Sequence, residues 1–79
     1  MLEFRGMINV RDKELIIRFG DNLRKIRIEK GFTQEKLAFN AEITLSQVGR
    51  IERGKINTTI STAYLLAKVL EVDISRLFE

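Results

Sequence analysis

The sequence predicts an all-α fold, a compact bundle of five helices around one core. Three observations lead there. Apolar residues recur at steps of three and four through residues 15–26, 37–51 and 60–70. Thr, Ser or Asp stands before most of these stretches, where helices take their N-caps, and Gly31 and Gly54 stand where two of them stop. The 79 residues contain no Pro, and no part of the domain requires a strand.

The elements follow in order. In residues 1–11, Leu2, Phe4, Ile8 and Val10 share even-number spacing broken by Gly6, so a flexible, extended arm is expected. A first helix runs from about Asp12 to Lys30 on a stripe of Leu15/Ile16, Phe19, Leu23 and Ile26, and Gly31 ends it. Gly20 lies inside it and either permits close packing or is simply tolerated. Ile28 is off the stripe: it is incidental, or it meets a C-terminal element. The second helix spans Gln34 to Asn40 behind the cap Thr33, with Leu37, Ala38 and Ala41 on one face. The third spans Leu45 to Arg53 behind Thr44, with Val48 and Ile51 inward and Gly54 as its stop. A loop of Lys55, Ile56, Asn57 and Thr58 leads to the cap Thr59 and a fourth helix from Ile60 to Leu70. Its expected apolar face is Ile60, Ala63, Leu66, Ala67 and Leu70. Val72 should tuck back, and Ser75 to Phe78 should form a last turn capped by Asp73 or Ser75.

Composition narrows the functions available. Seventy-nine residues make one small domain with a modest core, to which association of two copies would add burial. There is no Cys and no His, which removes a disulfide framework, thiolate metal sites and the commonest general base. No nucleophile–base pair, metal cluster or phosphate-cradling Gly loop is visible, so an enzyme is not expected, and no cofactor. No apolar run is long enough for a membrane span, and no signal-peptide pattern opens the chain, so a cytoplasmic location is expected. The net charge of +3 suits a nucleic-acid partner without demanding one. Its layout is two-ended: Arg50, Arg53 and Lys55 cluster around the end of the third helix, while Glu71, Asp73 and Glu79 lie at the C-terminus.

Thr33 to Gly54 reads as two short helices joined by a tight turn, small and apolar where they touch and polar where a ligand would lie. The segment resembles the helix-turn-helix of the phage-repressor and Cro type, the XRE-like family of bacterial regulators. TQEKLA and RIERGK match that family's common strings, Ala38 its small residue in the first helix, and Val48 and Ile51 its apolar pair in the second. The resemblance runs from about Phe19 to Phe78. It implies a bundle of the lambda-repressor-like DNA-binding type over residues 12–79, with the helix-turn-helix at 33–54. Glu42 departs from the pattern, standing where the family's turn usually has Gly. Should its φ be positive, Glu would cost roughly 1 kcal/mol there.

With Val48 and Ile51 inward, Leu45, Ser46, Gln47, Gly49 and Arg50 form the outward set of the third helix. The resemblance points to Leu45, Ser46 and Arg50 as base readers, and Gln47 suits an adenine or a phosphate. Arg50 is the strongest candidate, since a guanidinium can bond both O6 and N7 of guanine. Gly49 either lets the backbone approach DNA closely or is merely tolerated. Phosphate contacts are expected from Gln34, Thr44, Arg53, Lys55 and Asn57, with Gln34 at a helix N-terminus whose N–H groups suit an anion. Thr33 and Thr44 also have a purely structural reading as caps. The resemblance further implies an ion pair between Arg27 and Glu52 that fixes the tilt of the third helix.

Many relatives bind a two-fold operator as homodimers through the C-terminal element, which here offers Tyr64, Leu65, Ile74, Leu77 and Phe78. Leu77 and Phe78 could equally close the monomer's own core. The expected function is a sequence-specific, double-stranded-DNA-binding transcriptional regulator, nucleoid-associated and homodimeric. The string IRIEKGFTQEKLA is reminiscent of restriction–modification controller proteins. The competing reading is an antitoxin-like interaction module whose main partner is another protein.

Overall fold

The computed structural model describes residues 12–79, so the expected N-terminal arm lies outside the described residues. Among these residues there are four α-helices and a short 3-10 helix, with no strand: α1 (Lys13–Glu29), α2 (Gln34–Ala41), α3 (Leu45–Glu52), α4 (Ile60–Leu70) and a terminal 3-10 turn (Ile74–Phe78). The fifth helix of the expected bundle is thus this single turn.

Each α-helix starts at an oxygen-bearing side chain that accepts a backbone N–H. Asp12 accepts from Leu15, Thr33 from Lys36, Thr44 from Gln47 and Thr59 from Thr62. At α3 the cap is reciprocal. Gln47 Oε1 accepts from the Thr44 N–H at 3.5 Å while Thr44 Oγ1 accepts from the Gln47 N–H at 3.0 Å. Asp73 caps the terminal turn, accepting from the Ser75 N–H at 2.9 Å. That bond, with the Ser75 side chain, holds the Asp73 carboxyl below its ordinary value.

The core is one cluster. Phe19, Leu23 and Ile26 of α1, Leu37, Ala38 and Ala41 of α2, Val48 and Ile51 of α3, Ala63, Leu66, Ala67 and Leu70 of α4, and Leu77 are all buried. Helix α1 packs on α3 and the terminal turn, while α2 packs on α3 and α4. Asn22 ties the C-terminus to α1, donating to the carbonyls of Leu77 and Glu79 at 3.1 and 2.9 Å. Val72 packs against the core as expected.

Three apolar assignments are corrected. Ile60 is 86% exposed, not part of the α4 core face. It is the first residue of the helix, and helical side chains lean towards the N-terminus, so this one overhangs the core. Leu15 is exposed, and the α1 stripe becomes buried only at Phe19. Leu77, a candidate interface residue, has no exposure at all: it closes the monomer's own core. Phe78 is partly exposed, with its ring edge-on to Phe19 at 5.3 Å.

Glu42 does have positive φ, 58°, at the end of α2, and Glu71 repeats that conformation at the end of α4. Among the described residues no helix is long and apolar enough to cross a membrane.

Candidate nucleic-acid interface

Helix α3 is the centre of the site. Val48 and Ile51 anchor it, and its packing against α1 is backbone-close. A Cβ on Gly20 would collide with the carbonyl oxygen of Ile51 and lie 2.9 Å from that of Glu52. Gly20 is therefore required for this approach, which resolves the two readings of it. Gly54 ends the strip, with φ +69° and Ile17 of α1 against it, so any side chain there meets both backbone strain and a clash.

The Arg27–Glu52 pair sits behind α3. Arg27 Nε donates to Glu52 Oε2 at 2.6 Å and Arg27 Nη2 to Oε1 at 3.2 Å, with the side chains 11% and 3% exposed. Arg27 Nη1 also donates to the Phe32 carbonyl at 2.8 Å, and Gln34 Nε2 donates to Glu52 Oε1 at 2.9 Å. One carboxylate thus joins α1, the start of α2 and the end of α3. The Gln34 bond was not foreseen. It turns inward the amide nitrogen that is expected to face a phosphate.

The outer side of α3 is different in kind. Leu45, Ser46, Arg50 and Arg53 are exposed, and Gln47 is half-buried by its role in the cap. Gly49, expected in the outward set, is buried. Thr44, Lys55 and Asn57 are exposed around the ends of α3 and along the following loop. Glu52, the one acid in the α3 sequence, is inside, so exposed charge on this helix is entirely positive. Leu45, Ser46, Arg50 and Arg53 therefore share one side of α3, with Thr44 at its start and Lys55 and Asn57 in the chain that follows it. The Gln47 half of the cap was legible as Thr-x-x-Gln before an apolar position. The Gln34–Glu52 bond had no local signal, because its partners are 18 residues apart.

Tyr64 and Leu65 are exposed on α4, and Ile74 is half-buried against the core. Among the described residues, no group of three or more acidic, Cys or His side chains could hold a metal ion.

Two short helices locked at a turn, the second presenting a free cationic face, define a helix-turn-helix DNA-binding domain. The chain belongs to the helix-turn-helix family (HTH_3), whose profile matches residues 23–77, a family of transcriptional regulators and not of enzymes. It is similar to the restriction–modification controller protein C.AhdI of Aeromonas hydrophila, with a TM-score of 0.78 and 38% identity over 80% of this chain and 96% of that one. It is 36% identical over 55 residues to the control protein C.BamHI of Bacillus amyloliquefaciens, covering 68% of each chain. It is also 38% identical over 53 residues to an HTH-type transcriptional regulator of Sinorhizobium fredii, covering 67% of this chain and 69% of that protein.

Proposed function

We propose that this protein regulates transcription as a homodimer on a two-fold DNA operator, in the manner of a restriction–modification controller. The observation that carries this is the outer face of α3, where Arg50 stands exposed beside Leu45 and Ser46 while the helix's acid is withdrawn into an ion pair. In B-form DNA that face enters the major groove. Arg50 reads guanine, Ser46 contacts a neighbouring base edge, and Leu45 touches a thymine methyl. Gln47 keeps its cap and offers its amide N–H groups to a base or phosphate. Thr44, Lys55, Asn57 and the α2 N-terminus at Gln34 hold the phosphates on either side. Two copies joined through Tyr64 and Leu65, with Ile74 and Phe78 at the rim, place their α3 helices about one DNA turn apart, roughly 34 Å.

Selection of bound sequences from random duplex DNA tests this reading. The wild type should select a short two-fold motif, and Arg50→Ala should relax it at one symmetric position per half-site. A variant with wild-type preferences removes Arg50 as a base reader. Should the wild type select nothing, the protein-partner reading takes over.

A further inference from the structure

Residues 45, 46, 49, 50 and 53 share one side of α3, because they are spaced by three and four. Four of them are exposed, and Gly49 in their midst is buried. What lies over it is the end of Arg53. A Cβ placed on Gly49 would find Arg53 Nη1 at 3.0 Å, Cζ at 3.8 Å and Nη2 at 3.9 Å. The guanidinium has folded back one turn along bare backbone, in the direction in which long helical side chains lean. Among the described residues no carboxylate pairs with it. It lies there without a hydrogen bond or ion pair among the described residues, over a backbone that carries no side chain, and its charge remains available to a ligand.

We propose that Gly49 determines DNA specificity: by lacking a side chain it lays the Arg53 guanidinium across the outer face of α3, making Arg53 a second base reader beside Arg50. From the C-cap of α3, an Arg53 side chain extended outward would reach phosphate and carry no sequence information. Folded onto Gly49, it addresses the O6 and N7 acceptors of a guanine. Gly49 is then neither a tolerated glycine nor a point of backbone approach to DNA. The inference rests on the reading that α3 enters the major groove.

The two roles for Gly49 predict opposite signs. A glycine inside a helix weakens it relative to Ala, and the far end of Arg53 can move aside easily. Gly49→Ala should therefore raise the melting temperature while degrading recognition. The experiment is duplex selection with wild type, Gly49→Ala, Arg53→Ala and the double variant, with melting temperatures alongside. Arg53→Ala should relax preference by about 5- to 150-fold at a base pair other than the one lost with Arg50→Ala. Gly49→Ala should relax that same position by about threefold or more, and the double variant should be no worse than Arg53→Ala. The proposal is overturned if Arg53→Ala weakens all sequences equally, if Gly49→Ala keeps the wild-type preference, or if Gly49→Ala adds a loss in the Arg53→Ala background, where the methyl itself would be striking DNA. A wild type that selects no motif sinks the groove reading beneath it, an outcome distinct from these three.

Discussion

Gly20 of α1 lies directly against the carbonyl oxygen of Ile51 in α3. This backbone-to-backbone contact sets how deeply α3 sits in the domain. Arg27 and Glu52, two turns along α1 and one residue along α3, then fix its rotation.

Gly20→Ala should be destabilising although Ala is the better helix former. The added methyl meets backbone carbonyls, which cannot move as a side chain can. Helix propensity returns about 1 kcal/mol, against overpacking that reaches about 3 kcal/mol. A net loss of roughly 2 kcal/mol should lower the melting temperature by about 10 °C. A melting temperature equal to wild type would mean that α1 and α3 are not in this contact.

Removing the Glu52 carboxylate leaves the Arg27 charge in a site only 11% exposed. Breaking such a pair costs about 3–5 kcal/mol, whereas replacing both partners by apolar groups is often nearly neutral. Glu52→Ala should therefore destabilise strongly in urea unfolding and weaken DNA binding through misplacement of α3. The pair Arg27→Met with Glu52→Met should recover most of the stability. An unchanged melting temperature for Glu52→Ala would remove this role.

Lys55 follows the stop at Gly54, exposed at the end of the α3 face. A lysine on a phosphate contributes affinity without sequence preference. Lys55→Ala should weaken binding equally for all operators and reduce the slope of log K against log salt by about 1. A change in preferred sequence would instead place Lys55 on a base.

Glu71 ends α4 with φ 58°, where a side chain costs roughly 1–2 kcal/mol. Gly relieves that strain but gives back about 0.5–1 kcal/mol through the freedom of its unfolded chain. Glu71→Gly should raise stability by up to about 1.5 kcal/mol, and Glu42→Gly should do the same, both read by thermal melts. A loss of stability in both would show that these carboxylates make compensating contacts.

Leu65 is 40% exposed on α4, while Leu77 is wholly inside. Leu65→Lys should thus shift sedimentation towards the monomer with little change in fold, whereas Leu77→Lys should unfold the chain. A Leu65→Lys protein that sediments like wild type would move the dimer contact elsewhere.

The sequence alone carried the helices, their caps and their ends, because these depend on neighbours within four residues. Thr33, Thr44 and Thr59 announce α2, α3 and α4, and the spacing of Leu23, Leu37, Val48, Ile51 and Leu66 marks the faces they bury. It also carried the outward placing of Leu45, Ser46 and Arg50, which follows from helical period once Val48 and Ile51 are inside. Only the tertiary structure decided that Leu77 is core, that Ile60 is surface, that Gln34 turns to Glu52 and that Arg53 lies over Gly49. Local pattern states which side of a helix is apolar, but not how far a neighbouring helix extends over it. That reach depends on packing among elements distant in sequence. At the ends of α3 and α4 it determines which side chains remain exposed.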